Sequence, residues 1–270
     1  MKMLNLACGG RFHKDWINID FHPDSTDVKS VNLLGGLPFE GDSLDVAYSS
    51  HFIEHLSQED GKKVVDETYR VLKKGGIIRI VVPCLENICR EYISVINELS
   101  KNVDDHLLKK HKYITIELID QLTRDISGGE MQKLFNRTFE EKDKYLADYI
   151  LFRTGDNVLQ NIENTEGKAK ITLARVKNKI LYVYLNLVQL LIPVNIRKLV
   201  FNQVSIGEKH KWMYDKYSMY ELLMDAGFKN ITAVAYDDSQ IDGFNDYCLD
   251  SKNDGSPYKG SGSLYVEAIK

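Results

Sequence analysis

The sequence predicts an α/β protein: a parallel sheet with covered faces, interrupted after its fifth strand by a large helical insertion. Three observations carry that expectation. Short apolar or β-branched runs alternate with helical or loop stretches over residues 1–83, the pattern of a parallel sheet packed on both sides. From Leu85 to about Gln203 helical stretches follow one another, over 85–100, 104–126, 138–153 and 167–192. The alternating pattern then resumes, with a helix at 218–226 and strands at 231–235 and 263–269. The domain expectation follows: 1–84 and 204–270 form the sheet domain, and 85–203 form a lid that shapes the substrate site.

Residues 3–7 read as the first strand and 17–20 as the second, with Gly10 to Trp16 between them as a short turn of helix. Val28 to Leu33 is a weak third strand. Leu44 to Ser49 is a fourth, with a nearly continuous apolar face. Glu59 to Lys73 carries Val64, Val65, Tyr69, Val71 and Leu72 at helical spacing, which predicts an amphipathic helix. Lys74-Gly75-Gly76 is a helix stop of basic residue followed by glycine. Ile77 to Val82 is the fifth strand, ended by Pro83. Asp237 to Gly262, rich in Asp, Ser, Gly and Asn, reads as a long surface loop.

Of 270 residues, 43% are hydrophobic and 27% charged, an ordinary globular balance. The net charge of -4 provides no general attraction to nucleic acid phosphates. The four cysteines, at 8, 84, 89 and 248, match neither a zinc ribbon nor a C-x-x-C pair, so reduced thiols in a cytoplasmic protein are expected. Ile180 to Ile192 is an apolar run of thirteen residues broken by Asn186 and Gln189. It is too short to cross a bilayer, which takes about 20 residues. It follows basic residues from Lys168 to Lys179, so a buried helix, a homodimer contact and peripheral contact with a membrane surface all stay open.

Leu4-Asn5-Leu6-Ala7-Cys8-Gly9-Gly10 and Ile17-Asn18-Ile19-Asp20 form the pair on which the function turns. Glycines let backbone N–H groups approach a ligand closely. A carboxylate at the end of the next strand can accept from both hydroxyls of a ribose. A nucleoside cofactor needs both. His51-Phe52-Ile53-Glu54-His55 also fits H-x-x-E-H, a metalloprotease pattern, but that chemistry needs both histidines on one helical face and a further ligand downstream. The expectation is that no metal is bound. A nicotinamide enzyme would need a further glycine near Phe12 or His13, and none is there.

The landmarks LNLACGG (4–10), INID (17–20), LPFEGDSLDVAYSSHFIEH (37–55), YRVLKKGGIIRIVVP (69–83) and YSMYELLMDAGF (217–228) together resemble class I S-adenosylmethionine-dependent methyltransferases. DQLTRDISGGEM (120–131) and GEKHKWMYD (207–215) look like stretches of a bacterial subgroup associated with surface-polysaccharide and sugar modification. The resemblance implies a Rossmann-like seven-stranded sheet whose last strand is antiparallel. It implies S-adenosylmethionine as cofactor, with Ala7, Cys8 and Gly9 along its methionine part and Asn5 and Gly10 among the residues that bind it. Asp20 would lie on the ribose, Asn32 and Leu33 near the adenine, and Ser49, Ser50 and His51 on the pocket wall. The chain differs from the wider family in having Asn5 where an acidic residue is usual and Ala7 where glycine is usual. It begins directly at the first strand, so the insertion is expected to supply much of the lid.

Methyl transfer to a sugar hydroxyl calls for alignment and for a base within hydrogen-bond reach. His51, His55 and His210 are the candidate bases. Arg124 with the Gly128-Gly129 turn is a candidate phosphate cradle, and Trp212 and Tyr214 are candidate stacking residues. The expected acceptor is a sugar or a nucleotide-linked or phosphorylated glycan precursor, methylated on oxygen or nitrogen. The alternatives are a non-catalytic regulatory or assembly protein that keeps the cofactor fold, and a zinc hydrolase using H-x-x-E-H.

Overall fold

The computed structural model describes residues 1–23, 25–160 and 207–270, together with 183–184, 187–188 and 192–193. The readings placed on 167–192, including the apolar run, lie almost wholly outside the described residues. Seven strands form one sheet: β1 (Met3–Leu6), β2 (Ile17–Asp20), β3 (Val28–Ser30), β4 (Leu44–Ser50), β5 (Leu72–Pro83), β6 (Lys229–Val234) and β7 (Ser263–Ile269). Their order is β3-β2-β1-β4-β5-β7-β6. The first five are mutually parallel, and β7 runs antiparallel to both neighbours. This is the Rossmann-like sheet with its last strand reversed.

Helix α1 (Gln58–Val71) starts where Ser57 accepts a hydrogen bond from the Asp60 amide and buries Val64, Val65, Thr68 and Val71 on one face. It packs with Leu4, Leu6, Ile78, Ile80 and the later helix α6 (Lys216–Asp225) on one face of the sheet. The expected glycine stop is not where α1 ends. Leu72 is already extended, wholly buried and paired with Leu44, so burial and strand pairing override the Lys-Gly-Gly signal. Gly75, at φ 80°, falls inside the strand. The 11–16 link forms turns without a helix, and the third strand is shorter than expected, giving way to a 3-10 turn at Leu33–Gly35.

The opposite face of the sheet is covered differently. Met3, Val46, Tyr48, Val81 and Tyr265 alternate with the α1-facing residues and meet Trp16, Ile241, Phe244 and Leu249. Three of these come from the 237–262 segment. The expected surface loop is therefore a core layer, because its apolar residues are spaced among polar ones that have buried partners. Arg79, in the middle of β5, is wholly buried and ion-paired to Asp250 and Glu267, each at 2.7 Å. It also donates to the carbonyls of Ala235, Tyr236 and Asp238 and lies 4.6 Å from the centre of the Phe244 ring.

After β5 come α2 (Leu85–Leu99), α3 (Asp105–Thr123), α4 (Gly129–Glu140) and α5 (Lys144–Thr154). The helix expected over 138–153 is two helices' worth of chain: α4 ends near Glu140, and Asp143 caps α5 by accepting from the Leu146 amide. α3, α4 and α5 share a core of Tyr113, Leu134, Leu146, Ala147, Tyr149, Ile150 and Val158, and Ile88 of α2 packs with Ile114 and Met213. Among the described residues no helix is long and apolar enough to cross a membrane.

Arg79→Met is expected to leave Asp250 and Glu267 buried without their cation and to cost about 3–5 kcal/mol of stability. Urea denaturation followed by Trp16 fluorescence reads the loss; a change below ~1 kcal/mol would mean that the ring cluster alone holds the loop.

Candidate active site

β1 and β4 are neighbours, and both end in residues held in the left-handed region: Ala7 at φ 51° and His51 at φ 51°. For a residue with a side chain that conformation costs about 1–2 kcal/mol, and such strain is concentrated at ligand sites. The His51 amide donates to the Val81 carbonyl at 2.8 Å, so β5 holds the turn in place. Gly9, at φ 52°, and Gly10 face open space where a Cβ would stand. The Gly9 amide donates to Asp20 at 2.9 Å and the His22 amide to the other oxygen at 3.0 Å, which fixes the carboxylate beside the glycine turn.

A cavity of about 320 Å³ lies over this turn, lined by Asn5, Ala7, Cys8, Gly9, Gly10, Arg11, Tyr48, Ser50, His51, Tyr258 and Lys259. Seven of the expected cofactor residues are among them. Asn5 is buried and donates to the Arg11 carbonyl and the Asn18 side chain, so it braces the turn as well as lining it. Burial, followed by the Asp20 charge, pushes the Cys8 thiol up to about 11, so it stays protonated. Asp20, Asn32, Leu33 and Ser49 do not line the cavity: Asp20 stands beside it, bound to the Gly9 amide, and Leu33 and Ser49 are buried within the protein. Asn32 caps the 3-10 turn by accepting from the Leu34 amide.

A second cavity, of about 270 Å³, opens on the other side of His51, under the helical insertion. Its walls include Glu117, Gln121, Arg124, Met131, Phe135, Arg153, Met213, Lys259 and Ser263. His51 and Lys259 line both cavities. His51 Nε2 is 3.0 Å from Ser263 Oγ. Burial, then the charge of Lys259, holds the His51 ring well below the usual histidine range, so it is neutral at pH 7. Lys259 is partly covered, and burial lowers its ammonium pKa. Sequence reasoning missed Lys259, Arg153 and Met213.

The other candidate residues fall elsewhere. The cradle expected from Arg124 and the Gly128-Gly129 turn is filled from within. Asp120, one helical turn before Arg124, binds its guanidinium at 2.5 Å and accepts from the amides of Glu130 and Met131. Glu208 accepts from the Gly128 amide and the Ser127 hydroxyl. A Cβ at Gly129 would overlap the Asp120 carboxylate. Arg124 Nη2 and the Gly128, Glu130 and Met131 amides are spent on protein carboxylates, while Arg124 Nε is buried without a hydrogen bond and Arg124 and Gly128 still touch the second cavity. Tyr214 is a core residue, 3% exposed among the α1 and α6 side chains. Trp212 is exposed and lines neither cavity.

His55 and His210 also line neither cavity. They stack edge-on with ring centres 4.8 Å apart, behind the Glu54 carboxylate. Residues 53–55 form a 3-10 turn and not a helix, so H-x-x-E-H does not place His51 and His55 on one helical face. Glu54 is wholly buried, and burial raises its pKa to about 8; burial, with His55 and Arg124 nearby, lowers His210 to about 3.

Residues 8–80 match the family model described as a methyltransferase domain. No curated protein matches the chain. Among solved structures the chain is similar to a SAM-dependent methyltransferase of Thermotoga maritima, described as a possible histamine N-methyltransferase, with 11% identity over 100% of this chain and 82% of that one and a TM-score of 0.41. It is similar to a SAM-dependent methyltransferase of Archaeoglobus fulgidus with 12% identity, 100% and 86% coverage and a TM-score of 0.39. A third, an S-adenosylmethionine-dependent methyltransferase of Mesorhizobium loti, shares 14% identity over 100% and 90% of the two chains, with a TM-score of 0.38. The matched stretch runs from the glycine turn to Ile80 of β5.

Proposed function

We propose that the protein is an S-adenosylmethionine-dependent methyltransferase acting on a small anionic acceptor, a phosphorylated or nucleotide-linked sugar of a surface-glycan precursor, at oxygen. The observation that carries this reading is that His51 lines both cavities, one over the glycine turn and one under the insertion. The residues fit the cofactor: an open cradle over Gly9 and Gly10, and a carboxylate pinned beside it. Bound there, S-adenosylmethionine supplies an activated methyl group.

The chain's own residues divide the remaining work. Asn5 and Asp20 keep the turn in shape and leave carboxylate lone pairs for a ribose diol. His51, neutral and 3.0 Å from Ser263 Oγ at Nε2, takes up the acceptor's proton through that hydroxyl: Ser263 passes its own proton to Nε2 and receives the acceptor's as the acceptor oxygen gains the methyl group. Arg124 and Arg153 are neutralised by Asp120 and Glu117. Lys259 has no ion pair among the described residues, which leaves it to meet an acceptor's phosphate or carboxylate. Helices α3, α4 and α5 line the second cavity.

Asp20→Ala is expected to weaken S-adenosylmethionine binding about 10–100-fold, by calorimetry, through the loss of a charge-assisted diol contact and of the brace on Gly9. His51→Asn suits the left-handed backbone, which asparagine tolerates. It is expected to lower kcat about 100-fold or more while cofactor affinity stays within about threefold; an unchanged kcat removes the base from His51. Lys259→Met is expected to raise KM for a phosphorylated sugar about tenfold and to leave an uncharged analogue unaffected.

A further inference from the structure

We infer that Glu54, His55 and His210 form a site for one zinc-class divalent metal ion, placed behind the two cavities and tying the 207–214 segment to the end of β4. One donor atom from each residue lies within 4.8 Å of the others. A point central to such a triangle is no more than about 2.8 Å from any corner. Small side-chain rotations would bring it to the ligand distances of about 2.0–2.2 Å that zinc requires.

Three polar atoms in this cluster lack hydrogen bonds, although Glu54 Oε1 lies 3.5 Å from His51 Nδ1. Both oxygens of Glu54 and Nδ1 of His210 are buried with no hydrogen bond among the described residues. Each such orphan costs about 1–3 kcal/mol, and three in one place ask for a ligand. His55 shows the arrangement usual for a metal-binding histidine. Its Nδ1 lies 3.2 Å from the Lys209 carbonyl, in reach to donate, and its Nε2 faces Glu54 Oε1 at 3.9 Å. That separation is too long for a hydrogen bond and suits two ligands of one ion.

The backbone already holds the pieces together. The His210 amide donates to the Gln121 carbonyl at 2.8 Å, and the Lys211 and Trp212 amides donate to the Glu54 carbonyl at 2.7 and 3.2 Å. Two imidazoles and a carboxylate favour zinc over magnesium or calcium, which prefer oxygen throughout. The positive charge of Arg124, felt by His55 and His210, is offset by its pair with Asp120, and the charge of Lys259 is also felt by Glu54 and His55. The inference does not rest on the methyltransferase reading, because none of the three residues lines either cavity.

The test is metal content and rebinding on the full chain. Purified protein, or chelator-treated protein given zinc and then dialysed, is expected to hold about one zinc per chain and to gain several degrees in Tm on reloading. Cobalt added to the stripped chain is expected to show the intense visible bands of a low-coordinate site. Glu54→Gln and His210→Gln are each expected to weaken binding at least about 100-fold and to abolish the Tm gain. Because a variant could fail to fold, the wild-type chain decides alone as well: stripped protein that takes up neither zinc nor cobalt overturns the site. Folded variants that bind as tightly as wild type also overturn it.

Discussion

A positive charge wholly enclosed in the middle of a sheet sets the terms for the rest of this molecule. Arg79 could not stay ionised there alone, since an isolated buried charge is prohibitively expensive. Asp250 and Glu267 neutralise it, and three carbonyls take its remaining donors. Those carbonyls and Asp250 belong to the 235–250 stretch, so satisfying the arginine requires that stretch to lie across the sheet. The same segment then continues to Tyr258 and Lys259, the far wall of the cavity over the glycine turn. Arg11 closes the loop from the other side: it donates to the Cys248 and Ser251 carbonyls and stacks 4.1 Å over Tyr258. A buried ion pair on β5 is thus what shapes a ligand crevice at the end of β1.

The division of labour follows from where each part of the site is attached. The glycine turn, Asp20 and His51 stand on strands that are paired on both sides, and their positions are as rigid as the sheet. The second cavity is walled mostly by helices with a separate core. Arg153 joins the two: it binds Glu117 on α3 and Asn87 on α2, and its carbonyl accepts from Gly262 just before β7. Gly155 and Gly260 are there because a Cβ on either would strike the backbone of the other segment. Acceptor choice can therefore vary with the insertion while the cofactor end stays fixed.

What could be read from the sequence was local. An apolar run gave β4, a β-branched run β5 and partial alternation β7, and the structure sets the glycine turn and the neighbouring carboxylate side by side at one edge of the sheet. The misreadings share one cause, which is partners far apart in the chain. Asp250 sits in a polar stretch that looks solvated, and its partner is Arg79. Lys259 looks like any loop lysine until the loop is seen crossing the sheet. Leu72 was assigned to a helix because its neighbours favour one, and only its pairing with Leu44 shows otherwise. The Asp120–Arg124 pair is the exception. An i, i+4 spacing on a helix made it readable, and it would have shown that the Gly128-Gly129 turn was already supplied with an anion.

His51 brings these constraints to one residue. Its left-handed backbone is unfavourable by itself, yet the bond to Val81, the contact with Ser263 and the enclosed Glu54 3.5 Å from its Nδ1 all act on it at once. A strained residue persists only when its surroundings over-determine it. Here they do so from β5, from β7 and from the turn at 53–55, three elements that move only if the sheet opens. The imidazole consequently has little freedom to move, and on the proposed function an acceptor would have to be brought to it. On the proposed function, alignment, the main contribution a protein can make to a methyl transfer, would be fixed on the histidine side by strand pairing and on the side of the second cavity by Arg153, which anchors its helices next to the strand carrying Ser263.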